Sequence, residues 1–213
     1  MAGFCSVLAG PELTVRKREP MKKYDRRVAR TRQLLEAALL SLIKEKEFEA
    51  ISVQEIIDRA NVGRATFYTH YDNKEDLLES GFDGLLTTLR ERQREARSHG
   101  APIGERLFAF SHHLLAHADE HRQIFPAMVS KRGGALIQHL LRNLLVKVVR
   151  EDVREAAHGV VRPVPEEAIV QFIAGGLFGL MMWWLGGKKK LSVDEVEALF
   201  RKLAVPALKA AAS

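Results

Sequence analysis

Residues 51–78, ISVQEIIDRANVGRATFYTHYDNKEDLL, carry the reading of the whole chain. Ser52-Val53-Gln54-Glu55 is a capping box: the serine hydroxyl takes the Glu55 amide proton and the glutamate reaches back, so a helix begins at Ser52. Val53, Ile56, Ile57 and Ala60 then recur at i, i+3, i+4 and i+7, the apolar stripe of a short amphipathic helix. Asn61-Val62-Gly63 breaks it, because Asn and Gly best tolerate a left-handed backbone. A further helix from about Arg64 to Tyr71 buries Phe67 and Tyr71. It leaves Arg64, Ala65, Thr66, Tyr68 and Thr69 around its outer surface and start. Two short helices separated by a three-residue turn make a helix-turn-helix, and a polar, cation-bearing outer face suits a DNA major groove about 12 Å wide.

Working outward, Leu35, Ala38, Leu39, Leu42 and Ile43 line one face of a helix predicted over 25–46. Asp72-Asn73 caps a long fourth helix, 74–97, which carries Leu77, Leu78, Phe82, Leu85 and Leu89. The segment from Ser98 to Pro102 is the clearest break, and beyond it helices are predicted over 103–118, 121–130, 133–158, 165–186 and 192–210. Strong patterns all have a period near 3.6 and none a sustained period of two, so the fold is expected to be all-α, with about nine helices. The expected organisation is an extension over 1–20, a three-helix DNA-binding domain over 21–73, a connecting helix over 74–98 and a larger helical domain over 99–213.

The net charge of +6 is concentrated. Residues 16–32 hold nine Lys or Arg against Glu19 and Asp25, so the rest of the chain is close to neutral. Clustered cations are what phosphate neutralisation requires, though a solvated basic tail has the same composition. The single cysteine, Cys5, forms no internal disulfide and supplies no metal cluster, which fits a reducing, cytoplasmic setting. The opening MAGFCSVLAGPELTV is too short for a membrane span and lacks a basic region before it and a cleavage site after it. Residues 1–20 are expected to be disordered or to precede the true start, with Met21 opening the functional protein.

The stretch from Thr31 to Leu78 resembles the DNA-binding domain of TetR-family repressors. The most specific piece is T-F-Y-x-H-Y-x-N-K-x-x-L, from Thr66 to Leu77. This resemblance implies that Arg64, Ala65 and Thr66 present to bases or adjacent phosphates, with Thr69 on the same face. It implies that Tyr68 and His70 clamp phosphates and that Lys74 meets the DNA backbone with its charge and its helix dipole. Gln54 would reach a base edge or phosphate, and Arg26, Arg27 and Arg30 would anchor the start of the first helix. The alternative for Tyr68 and His70 is packing against that helix. Two departures stand out: Gly63 occupies a position that commonly holds a capping Ser, and Asn61 replaces the usual turn glycine. The resemblance further implies a homodimer on double-stranded operator DNA, a small-molecule effector, no cofactor and no enzymatic activity.

Residues 169–185, IVQFIAGGLFGLMMWWL, form the most apolar run, shorter than the roughly 20 residues of a membrane helix. Gly175, Gly176 and Gly179 permit close approach of another helix, while Phe178, Met182 and Trp183 offer area to bury. In the family resembled, the last two helices build a four-helix bundle with their counterparts, which adds Leu199 and Leu203 to the expected interface. An effector cavity is expected among Phe108, Phe110, Leu114, Phe125, Met128, Phe172, Met181 and Trp184, although apolar cores draw on the same residue types. His112, His113, His117 and His121 raise the alternative of a helical-bundle metal-dependent enzyme. Against it, no cysteine lies nearby and paired Glu-x-x-His motifs are lacking, so no metal is expected. A third reading is an adaptor that binds DNA without any ligand.

Overall fold

The computed structural model of the chain describes residues 19–100, 103–125, 134–156, 164–187 and 191–211. Among them every element is helical. α1 (Glu19–Ile43), α2 (Val53–Ala60), α3 (Arg64–His70) and α4 (Lys74–Ser98) come first. α5 (Ile103–Arg106), α6 (Ser111–Glu120), α7 (Gly134–Ala156), α8 (Glu166–Gly186) and α9 (Val193–Ala210) follow, with single 3-10 turns at Phe48–Ala50 and Arg122–Ile124. The all-α architecture expected from the periodicity is what the chain adopts. Residues 1–18 and Met128 lie outside the described residues, while Met21 falls inside α1.

α1 packs on α2, and α2 on α3, around Leu35, Leu39, Ile56 and Phe67, none more than 2 % exposed. α1 stops at Ile43, earlier than its apolar stripe suggested. The next residues turn back instead and tie to α2: Lys46 pairs with Glu55, and Glu45 receives a two-pronged bond from Arg59 at 2.7 and 2.9 Å. α4 then runs from α1 to α7, α7 lies along α8, and α9 packs on α6 and α8.

The helix predicted over 103–118 is in fact interrupted between α5 and α6. Phe108 has φ +61°, a left-handed conformation that is strained for an aromatic residue. Its amide donates to Asp152 Oδ2 of α7 at 2.9 Å, and its ring is buried at 5.2 Å from Phe200. A fully buried carboxylate has thus taken an amide that a continuous helix would have used. The second predicted break falls later than expected: α6 runs through Asp119 and Glu120 with His121 as its C-cap, a 3-10 turn takes the start of the helix predicted over 121–130, and residues 126–130 lie outside the described residues. α9 starts from a second capping box, Ser192 with Glu195, which the sequence reading had not named.

Candidate DNA-binding face

The helix-turn-helix is built as its capping signals require. Ser52 Oγ accepts from the Glu55 amide at 3.3 Å, and Glu55 Oε2 accepts from the Ser52 amide at 2.9 Å. Hydrogen bonds from Lys46 first, and from Ser52 second, hold the Glu55 carboxyl well below the usual range. Asn61 takes the left-handed position at φ 51°, so the asparagine does what a turn glycine would do. Gly63 is the N-cap of α3 and offers no side-chain bond; the Thr66 and Phe67 amides close instead on the Gly63 carbonyl.

Phe67 and Tyr71 are buried, which fixes the rotation of α3 and turns its other side outward. On that outer side Tyr68 stands 46 % exposed. Arg64 lies over the Tyr68 ring at 5.4 Å and donates to Gln54 Oε1 of α2 at 3.2 Å. Ala65 and Thr69 are exposed beside them, and the Thr69 hydroxyl bonds the Ala65 carbonyl at 2.8 Å. Gln54, Arg64 and Tyr68 therefore form one connected polar cluster on two helices, with Ala65 and Thr69 exposed on the same recognition helix. Thr66 is half-buried at its edge, as is His70, whose ring is 6.3 Å from that of Tyr71. Arg26, Arg27 and Arg30 are exposed on α1.

Lys74 sits differently from its expected role on the DNA backbone. Its Nζ donates to the carbonyls of Phe48, Glu49 and Ile51 at 2.8, 3.0 and 2.8 Å and lies 4.8 Å from the centre of the Phe48 ring. All three ammonium protons are thus engaged in closing the 3-10 turn between α1 and α2. Sequence spacing gave no hint of this, since the carbonyls lie 23 to 26 residues away.

The expected effector residues divide. Leu114, Phe125 and Met181 line an apolar cavity of about 110 Å³, together with Leu40 of α1, Phe82 and Leu85 of α4, and His117 and His121. Phe108 and Phe110 are buried in the core instead. Trp184 is buried with its indole N–H on the Leu191 carbonyl at 2.9 Å, and Arg122 lies over its ring. Phe172 faces outward, 70 % exposed. The α1 and α4 contributions to the cavity were missed, because those leucines and that phenylalanine read as ordinary core positions.

The histidines divide as well. His112 turns toward Asp194 and Glu197 of α9, whereas His117 and His121 approach each other at 4.5 Å between ring centres. Burial, and then the neighbouring His121, push the His117 pKa down to about 4, so this imidazole is neutral at physiological pH. One ligand atom from each of His117, Glu120 and His121 lies within 4.8 Å of the others, as is true of His112, Asp194 and Glu197.

On α8, Gly175, Gly176 and Gly179 are exposed beside Phe172 and Trp183, with Met182 half-buried at the edge. Leu199 and Leu203 of α9 are 39 % and 69 % exposed. Phe178, expected with them, is instead buried within the chain, with the Arg142 guanidinium 3.9 Å from its ring centre. α8 is 21 residues long and apolar enough to cross a membrane by length and composition alone, and half of its most apolar window is buried inside this chain.

A helix-turn-helix with an exposed polar recognition helix, carried on a larger helical body, defines a DNA-binding regulator. The chain belongs to the tetR family of bacterial regulatory proteins: that family's model matches residues 34–80, and a model of a transcriptional regulator C-terminal region matches 105–205. It is 46 % identical over 65 residues to the uncharacterised HTH-type transcriptional regulator YxbF of Bacillus subtilis, a match spanning 30 % of this chain but 17 % of that relative's length. A TetR transcriptional regulator from Streptococcus agalactiae superimposes with a TM-score of 0.60 at 26 % identity, over 86 % of this chain and 98 % of that one. The structure of Thermus thermophilus FadR, a TetR-family repressor in complex with lauroyl-CoA, shares the fold. Its TM-score is 0.61 at 19 % identity, over 83 % of this chain and 94 % of that one.

Proposed function

We propose that the chain is a ligand-responsive repressor that acts as a cytoplasmic homodimer on operator DNA and catalyses no reaction. The observation that carries this reading is the Gln54–Arg64–Tyr68 cluster: three exposed side chains of groove-binding chemistry on α2 and α3, in which Arg64 touches both of the others. The Arg64 guanidinium is the group best suited to a guanine edge, and Tyr68 to a phosphate. Exposed arginines on α1 extend the positive surface. The exposed apolar stripe over α8 and α9 supports a dimer, in which two recognition helices would sit about 34 to 36 Å apart in successive major grooves. The cavity walled by α1, α4, α6, α7 and α8 supports an effector, because a ligand there touches α1 of the N-terminal domain, the connecting helix α4 and the larger body. Such a ligand releases DNA only by favouring the conformer with the wrong spacing.

The test is a gel shift on the intergenic region beside the protein's own gene. A shift that weakens steeply between about 50 and 200 mM salt is expected, reflecting several phosphate contacts. Tyr68→Ala should weaken binding to every duplex alike, whereas Arg64→Ala should also relax preference at one base pair, by about 1 to 3 kcal/mol. Purified protein without salt-sensitive affinity for any duplex would refute the reading.

A further inference from the structure

The cavity behind the recognition domain has a chemistry that selects its occupant. Its walls are aliphatic and aromatic from five helices, and among the described residues its lining polar groups are the imidazoles of His117 and His121. A second cavity of about 170 Å³ adjoins it, sharing Leu40, Phe82, Leu85 and His117 as walls and lined also by Glu36 of α1. No lysine or arginine lines either cavity among the described residues. We infer that this paired cavity binds an uncharged, largely apolar molecule of about ten non-hydrogen atoms, a phenol or alcohol whose hydroxyl group meets the His117–His121 pair. This rests on the proposal that a small molecule controls the protein, and adds which chemical class it belongs to.

Three features converge on that class. Charge comes first: a carboxylate or phosphate here would be desolvated with no lysine or arginine to meet it, and Glu36 in the wall of the second cavity would repel it. Hydrogen bonding comes next. His121 Nδ1 is buried with no hydrogen-bond partner among the described residues, and such a group favours a ligand that supplies the missing bond. A hydroxyl both donates and accepts, so it satisfies an imidazole in either tautomer, whereas an alkane satisfies none. Size comes last. A dry cavity of roughly 150 Å³ holds a benzene ring, and the two cavities, about 110 and 170 Å³ with Leu40, Phe82, Leu85 and His117 as common walls, together exceed that by enough for a ring with a short chain. A molecule lying across both touches Leu40 of α1, Phe82 and Leu85 of α4, and His117 of α6, and so spans the junction between the recognition domain and the body.

Three matched probes test this by calorimetry on the full chain at pH 7.5 with EDTA present: 4-propylphenol, propylbenzene and 4-propylbenzoate. The phenol should bind about three- to tenfold tighter than propylbenzene, the increment of one net hydrogen bond, and the benzoate at least tenfold weaker than the phenol. His121→Leu, which removes the unpartnered Nδ1, should erase the phenol's advantage while keeping propylbenzene binding, and Leu40→Trp should abolish binding of all three. The wild-type series decides the matter even if a variant fails to fold. Benzoate binding as tightly as phenol, phenol binding that requires added zinc, or no binding of any probe by protein that still shifts operator DNA would each overturn the inference. Failure to shift any DNA, with the probe ranking intact, would instead remove the repressor reading and leave the ligand class standing.

Discussion

Three carbonyls converge on one ammonium at Lys74, and this decides what the residue does. Its protons are spent on Phe48, Glu49 and Ile51, in the turn that sets α2 against α1. An ammonium so held is better placed to stabilise the domain than to bind a phosphate. Lys74→Met, which keeps an unbranched apolar stem but removes the charge, should therefore cost about 2 to 3 kcal/mol of stability by leaving part-buried carbonyls without partners. Urea unfolding checks this, and a gel shift at low temperature, where the variant is still folded, should show a small loss of affinity. A Lys74→Met protein as stable as wild type but strongly impaired on DNA would return the lysine to the phosphate role. Neighbouring residues carry the opposite lesson. Gln54, Arg64 and Tyr68 were legible as outward positions because their placement depends only on the local helix period and on Phe67 and Tyr71 being buried. The destination of Lys74 depends on chain folded back from more than 20 residues away.

At the scale of elements, the same distinction explains which helices could be read. α2 and α3 announce themselves through a capping box, a seven-residue apolar repeat and a left-handed Asn61, all within a few residues. The break between α5 and α6 does not, because its cause, Asp152, lies 44 residues further along. Nor did the cavity, since its Leu40 and Phe82 walls and true core positions draw on the same residue types. Asp152 also makes this junction sensitive to pH. Burial first of all raises its pKa from 3.8 to about 6, against the lowering effect of bonds from Gln93, the Phe108 amide and Arg97. A carboxyl raised on folding favours the native state while protonated. Its contribution is complete below about pH 4 and is lost as pH rises through about 6, a change of about 3 kcal/mol. Asp152→Asn keeps an acceptor for the Phe108 amide and cannot ionise. The difference in urea stability between wild type and this variant should thus change by that amount between pH 4 and 7. Other titrating groups cancel in the comparison, His117 among them, whose depressed pKa acts with the opposite sign as the pH falls from 6.5 toward 4. A difference independent of pH would mean that Asp152 is ionised throughout.

For the whole molecule, the exposed stripe on α8 and α9 is the feature that a single chain does not account for. Phe172 and Leu203 are each about 70 % exposed on helices whose other faces are buried, and they flank a groove lined by Ile173, Gly176 and Phe200. A patch of this kind marks an interface, and a two-fold contact would set α8 and α9 of one protomer against the same helices of the other. The proposed repressor needs that symmetry for affinity as well as for spacing. Once one recognition helix is bound, the second meets its half-site at a high effective concentration, and the gain can reach about 10²- to 10⁴-fold without any new contact. Phe172→Glu with Leu203→Glu places four carboxylates in the proposed interface, far from α3. Sedimentation should then show a folded monomer, and binding to a two-half-site operator should fall by a factor in that range. Affinity for an isolated half-site should stay within about twofold of wild type, since each recognition face is intact. A double variant that still sediments as a dimer would place the interface elsewhere on the molecule. A monomer that binds the full operator as tightly as wild type would show that the two half-sites are read independently.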